Sequence, residues 1–372
     1  MRVMMLLLLG CWSVVGQAQS TLDSLYTVDG FRRYVVHTPP GFSPSEQLPL
    51  VLNLHGVGSD PAQQEVYSGM NAVADTARFV VVYPSGVNNS WNLGLGTVDE
   101  YGYFTGLLDT LAITHGIDVE RIYACGMSQG GYMSFVLACG VYDRIAAIAT
   151  VAGGMALGLD LVCNPARPVP VMMIHGTADG IVPFNGGLQN IAVPAAIDFW
   201  VAHNACAAEP IVTPIPNVVN WDFCSAERED HPNGELGSEV ALIRVIDGGH
   251  TWPGSAIPIG VTNQDFSASA VIWRFFARHA ITGALSIPRS PSDEVDATLL
   301  PSLFNDRIEL TNSGAEALAV EVQDAAGRVV LRSTLGPQQA SSYTTVEWSP
   351  GSYVWSLRSA AGSKAIRTVL AR

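Results

Sequence analysis

Near-continuous apolar runs recur at 48–54, 79–83, 145–151, 170–175 and 239–246, and they lead into glycine, proline, serine or aspartate turns. A strand buried on both faces reads this way, because neither of its sides alternates with water. Between these runs the spacing turns helical. Leu107, Leu108, Leu111 and Ala112 share one face of a helix expected over 98–115, and another helix is expected over 67–77. An alternating run at 31–37 reads as an early strand, closed by the turn around Pro39-Pro40-Gly41. Short apolar strands alternating with helices predict an α/β fold with a doubly wound, mostly parallel sheet. In such a sheet, reactive groups collect beyond the C-terminal ends of the strands.

The pattern changes after residue 280. Residues 281–301 are rich in proline, serine and acidic side chains and read as a linker. Beyond it, alternating strands are expected at 307–312, 317–323, 328–332, 344–348, 353–358 and 365–370. The turns Ala326-Gly327, Pro350-Gly351 and Ala361-Gly362 separate them, which predicts a small β-sandwich over 302–372.

Candidate chemistry sits where the strands end. Gly126-Met127-Ser128-Gln129-Gly130 fits the G-x-S-x-G nucleophile elbow, in which a tight strand-to-helix turn lifts a serine hydroxyl above the sheet. A glycine-rich turn with a solvated serine would show the same letters, but an apolar strand enters this one and a helix-compatible run leaves it. The helix N-terminus there favours developing negative charge. After the run at 170–175 comes Asp179, placed to accept the Nδ1–H of a histidine; a mere turn former before Gly180 is the competing role. After the run at 239–246 comes His250, on a Gly248-Gly249 loop that can reach a serine as general base. The order Ser128, Asp179, His250 is that of α/β-hydrolases. The loop after residue 54 offers a backbone N–H at Val57, which with that of Gln129 would form an oxyanion hole; His55 is expected to hold this loop. Trp252 and Trp91 are expected as pocket walls, although a structural role under the loop competes for Trp91.

Composition narrows the partners. A formal net charge of −14 argues against nucleic acid and anionic membrane surfaces. No Cys-x-x-Cys or His-x-x-x-His pair points to a metal, and no cofactor is expected. Residues 1–18 read as a signal peptide, with Arg2, an apolar stretch reaching Val15 and small residues before Gln19. Leu8-Leu9-Gly10-Cys11 offers a lipobox as the rival processing site, and export follows in both cases. Five cysteines remain after cleavage. Cys125 is expected as a buried free thiol, and the closest spacings favour Cys139–Cys163 and Cys206–Cys224 pairs, although sequence does not fix connectivity.

Leu54-His55-Gly56, Tyr83-Pro84-Ser85-Gly86 with Trp91-Asn92, the elbow, His175-Gly176-Thr177-Ala178-Asp179 and Gly249-His250-Thr251-Trp252-Pro253-Gly254 occur in this order. Over residues 28–280 the chain thereby resembles the secreted esterases that include polyhydroxybutyrate depolymerases, feruloyl esterases and acetylxylan esterases. The resemblance implies an α/β-hydrolase domain over 19–280, with Ser128 as nucleophile, His250 as base, Asp179 as orienting acid, and Val57 and Gln129 as oxyanion donors. The family's members span several substrates, so the substrate does not transfer; an ester-bearing, polymeric one is expected, with polysaccharide-linked feruloyl or acetyl esters preferred. Polyhydroxybutyrate depolymerases often carry cysteine where Val57 stands, which disfavours the polyester. A peptidase and a non-catalytic polymer-binding protein stay open on the same fold. Residues 324–330, 350–355 and 364–372 resemble the sorting domains of type 9 secretion, which implies the secretion machinery as a partner. A carbohydrate-binding module is the alternative, and exposed aromatics at Tyr353 and Trp355 would favour it.

Overall fold

A computed structural model describes residues 18–94, 96–281, 297–300, 303–304, 307–324, 328–349, 351–359 and 363–370. Residues 1–17 of the expected signal peptide and most of the expected linker, 282–296, lie outside them. The large sheet contains β1 (Gln19–Thr27), β2 (Gly30–Thr38), β3 (Leu50–Leu54), β4 (Val80–Pro84), β5 (Ile122–Met127), β6 (Ala147–Val151), β7 (Val171–Gly176), β8 (Ile211–Ile215), β9 (Ser225–His231) and β10 (Val240–Ile246). Its order is β1-β2-β4-β3-β5-β6-β7-β10-β9-β8. The stretch from β4 to β10 is parallel, and antiparallel strands close both ends. This is the doubly wound α/β-hydrolase sheet.

Each face of that sheet carries its own core, because successive side chains point to opposite sides. Leu50, Leu52, Leu54 and Val82 pack with Leu107 and Leu111 of α3 (Glu100–Thr114), Phe135 of α4 (Gln129–Gly140) and Trp200 of α5 (Val193–His203). Val51, Val81 and Tyr83 face the other way. They meet Met70 and Ala74 of α2 (Met70–Ala77), with Phe275 and Phe276 of α6 (Ala268–Phe276).

Two departures have local causes, and one expected segment gains its detail. The helix expected over 67–77 is split into α1 (Pro61–Ser68) and α2, because Gly69 turns left-handed at φ 60 and caps α1. The polar stretch 222–237, whose turn residues read as a hairpin or an insertion, contains β9, which runs antiparallel to both β8 and β10. Arg244 on β10 pairs with Glu227 and Glu229 across it, at 2.9 and 2.5 Å. The expected Cys206–Cys224 bond does not form, and both are free thiols. Cys206 packs beside the core on one face of the sheet and Cys224 belongs to the core on the other, so the sheet separates them. The Cys139–Cys163 disulfide is present, with its Cα atoms 5.0 Å apart, and Cys125 is buried and free.

The C-terminal strands are β11 (Ala297–Leu300), β12 (Leu303–Phe304), β13 (Arg307–Asn312), β14 (Leu318–Asp324), β15 (Val329–Leu335), β16 (Gln339–Thr344), β17 (Gly351–Arg358) and β18 (Ser363–Leu370). They form two sheets, β11-β13-β16 and β12-β18-β17-β14-β15. No strand forms at 345–348; the backbone turns there, with the Trp348 N–H donating to the Thr345 carbonyl at 2.9 Å. The polar run before it takes the place beside β13 instead. Tyr353 and Trp355 point inward, 3% and 0% exposed, in a core with Ile308, Val320 and Leu357. They present no aromatic platform to solvent.

Candidate active site

Ser128 sits between β5 and α4 at φ 53, ψ −121, a conformation that costs an L-residue roughly 1–3 kcal/mol. The surroundings hold it there. Its N–H donates to the Val151 carbonyl at 3.0 Å, and its own carbonyl accepts from Gly131 and Tyr132 to start α4. The flanking glycines are dictated by backbone contact. A methyl group on Gly130 would stand 2.2 Å from the Leu54 oxygen, and one on Gly126 would stand 2.6 Å from the Gly130 carbonyl. One on Gly131 would stand 2.9 Å from the Gly153 Cα. Three backbones, at the ends of β3, β5 and β6, therefore touch at the elbow. Gly56 also lies against the serine, since a Cβ there would be 3.3 Å from that of Ser128.

The loops after β7 and β10 are laced to each other. Thr177 N–H donates to Val245 O at 2.9 Å, Ala178 N–H to Gly248 O at 3.0 Å, and Asp247 N–H to Thr177 Oγ1 at 2.9 Å. This lacing brings Asp179 to His250, whose Nδ1–H donates to Oδ2 at 2.8 Å. The other carboxylate oxygen accepts the N–H groups of Ile181 and Val182, both at 2.8 Å. Burial alone would raise the Asp179 pKa, but the bonds from His250 and these two amides outweigh it and hold the carboxyl below its ordinary range. His175 is driven toward its neutral form by burial. Its Nε2–H donates to the Val182 carbonyl at 2.8 Å, which steadies the same loop. Asp247 is exposed at φ 61.

With Nδ1 committed to Asp179, the His250 proton acceptor is Nε2. Ser128 and His250 line one cleft of about 770 Å³. Gly56, Val57 and Met127 line it beside them. Among the described residues, the backbone N–H groups of Val57 and Gln129 donate to no main-chain carbonyl. A serine, an imidazole oriented by a carboxylate, and two amides at adjacent loops are the parts that acyl transfer needs.

Residues 32–208 match the family described as Esterase PHB depolymerase. A protein named "Putative esterase NocK", from Nocardia uniformis subsp. tsuyamanensis, is 30% identical over 295 residues, which cover 68% of this chain and 82% of that one. The chain belongs to this esterase family. It is a carboxylic ester hydrolase. Feruloyl esterase B from Piromyces equi is 29% identical over 59% of the esterase, which spans only 42% of that longer protein. An acetyl xylan esterase structure from Aspergillus awamori superposes with a TM-score of 0.51 at 13% identity, covering 69% of the esterase and 99% of that chain, and so shares its fold.

Neither tryptophan expected in the pocket lines the cleft of the esterase. Trp91 is 3% exposed beneath the loop, against His55 and Phe104, and its Nε1–H donates to the His55 carbonyl at 2.8 Å. Trp252 is 1% exposed, with its Nε1–H on Ser269 Oγ at 3.1 Å. Both indoles are consumed by internal hydrogen bonds, as buried tryptophans are. The walls are instead aliphatic, from Val57, Val66, Ile181, Ile257 and Ile259, with Tyr67 beside them and Asp60 and Gln63 on the polar side. Of these, the sequence singles out only Val57, and for its backbone N–H rather than its side chain. The signal for Ile181, Ile257 and Ile259 is a branched apolar side chain in a turn-rich segment, and Val66 is an apolar residue exposed on α1.

Proposed function

We propose that the esterase hydrolyses its substrate in two steps through an acyl-enzyme. His250 Nε2 takes the Ser128 proton, the serine oxygen adds to the ester carbonyl, and the amides of Val57 and Gln129 bind the oxyanion. Collapse expels the alcohol, which receives the proton from His250. Water, deprotonated by His250, then releases the acid. The observation that carries this reading is the 2.8 Å bond from His250 to a buried Asp179, with the same histidine lining the cleft of Ser128. His55 supports the loop, donating Nδ1–H to the Gly56 carbonyl and accepting the Gly86 N–H on Nε2.

For the substrate we propose feruloyl or acetyl esters on xylan, in line with the relatives named for those activities. A second reading, a polyester such as polyhydroxybutyrate, is favoured by the family match and the branched aliphatic walls. Acetylated xylan, methyl ferulate, poly(3-hydroxybutyrate) and a peptide should be assayed side by side. The expected result is turnover of a xylan-type ester at least tenfold above the others in kcat/KM; polyester turnover in excess would reverse the preference.

We also propose that the protein is exported and that residues 302–372 form a sorting domain rather than a sugar-binding module. Support comes from the inward-facing Tyr353 and Trp355. Fused to a fluorescent reporter with a signal peptide, this segment should carry the reporter to the surface of a type 9 secreting host. Retention in the periplasm would exclude the role.

A further inference from the structure

The turn Val87-Asn88-Asn89-Ser90 contains none of the proposed catalytic groups, yet its bonds end on both sides of Ser128. Asn88 and Asn89 have φ 52 and 58, and Val87 bridges Ser90. That is type I′ geometry, which asparagine tolerates better than most residues. A methyl on Gly86 would stand 2.3 Å from the Ser90 oxygen, so the turn closes only on glycine. Beneath it lies the buried ion pair Arg32–Glu100, at 2.6 Å. Arg32 donates to the Ser85 carbonyl at 3.0 and 2.8 Å, and Glu100 accepts the Asn92 N–H at 3.0 Å. One ion pair thus pins both ends of the turn.

From this base the turn reaches two ways. Toward the loop after β3, the Trp91 indole N–H donates to the His55 carbonyl at 2.8 Å, and the Gly58 N–H donates to the Asn89 carbonyl at 2.8 Å. Val57 is therefore held on both sides. Toward α4, the Gln129 side-chain oxygen accepts the Trp91 N–H at 3.0 Å and the Ser90 hydroxyl at 3.1 Å. Its amide nitrogen donates to the Trp91 carbonyl at 3.2 Å. A tryptophan that merely filled space would account for the burial of Trp91. It would not account for both polar atoms of Gln129, and for His55 and Gly58 on either side of Val57, being bound to the same turn.

We propose that the Gly86–Asn92 turn is a brace that sets the spacing and aim of the Val57 and Gln129 amides, with Trp91 and the Gln129 side chain as positioning residues for the reaction. The inference rests on the proposed oxyanion role of those amides. Such donors matter once charge develops on the substrate oxygen, so loosening the brace acts on the transition state more than on the bound ester.

The test uses Trp91→Phe, which keeps the ring and removes the indole N–H, and Gln129→Met, which keeps the backbone amide. Ser90→Ala, removing one bond to Gln129, serves as the mildest variant. Rates are expressed per active site, counted by titration with a fluorophosphonate. For Trp91→Phe and Gln129→Met, kcat is expected to fall roughly ten- to a hundred-fold with KM within about twofold. Affinity for an alkylboronic acid, whose tetrahedral adduct on Ser128 places an anionic oxygen among the donors, should fall by the same factor. The double variant should lose less than the product of the single losses, because both act on one geometry. Ser90→Ala should lose a few-fold in kcat. A kcat per site within twofold of wild type in both single variants, even with a lowered melting temperature, would reduce the turn to packing and overturn the proposal. So would a loss confined to KM with boronate affinity unchanged. A Ser128→Ala protein that stays active would instead fail the underlying reading of the site, so the two failures are distinguishable.

Discussion

Replacement of Ser128 by alanine is expected to lower kcat on the order of a million-fold while leaving the melting temperature nearly unchanged. Removing the hydroxyl takes away the only atom proposed to bond with the acyl group. Each factor of ten is about 1.4 kcal/mol, so the loss is about 8 kcal/mol of transition-state stabilisation. What remains is the oxyanion hole and the cleft. The fold should be indifferent, because the elbow is held by the main chain at Ser128 and by the contacts of Gly126, Gly130 and Gly131. Alanine also bears a Cβ and endures the same positive φ. Steady-state kinetics, fluorophosphonate labelling and a thermal melt check this together; activity within a hundred-fold of wild type would move the nucleophile elsewhere.

Asp179→Asn is expected to lower kcat on the order of ten-thousand-fold, with labelling at Ser128 slowed rather than abolished. The direction follows from which carboxylate oxygen is free to change. Oδ1 faces two N–H donors, from Ile181 and Val182. An asparagine must therefore place its carbonyl there and its amide toward His250. Facing a donor, Nδ1 has to give up its proton, which moves to Nε2, and Nε2 can then no longer accept from the serine. Kinetics read the loss, and the imidazole proton resonances read the tautomer. The same substitution changes acid stability. Asp179 titrates below its ordinary value of 3.8 in the fold, so its ionised form stabilises the protein fully above that pH. That contribution fades as pH falls through the lower, folded value. Wild type and variant should therefore differ less in stability near pH 2 than at pH 6, and an unchanged difference would contradict the depressed pKa.

The parallel sheet was legible because strands buried on both faces leave near-continuous apolar runs, as at 48–54 and 145–151. The elbow was legible because its glycines answer to backbone contact, and Asp179 and His250 because each ends a strand next to glycine. Other features were not readable in that way. β9 is a strand by virtue of its neighbours: Glu227 and Glu229 meet Arg244 on β10, a partner that no local pattern reveals. The cysteine spacing that favoured Cys206–Cys224 carried no information about the sheet that divides them. The tryptophans were misjudged because a large aromatic beside a loop motif serves equally as wall or prop. Only the partner of the indole N–H, the His55 carbonyl or Ser269, separates the two roles.

The aliphatic walls of the cleft stand apart from the elbow that they serve. Val57 precedes α1 and Val66 lies in its last turn, Ile181 follows the acid loop, and Ile257 and Ile259 belong to a bend beyond His250. A Cβ on Gly58 or Gly260, beside two of these segments, would meet nothing within 4 Å, whereas one on Gly126 or Gly130 would strike backbone. The wall side chains can therefore change without touching the backbone contacts that fix the nucleophile. Such a scaffold is suited to acquiring new esters by drift in its loops, and a library directed at Val66, Ile257 and Ile259 would sample that capacity at little risk to folding.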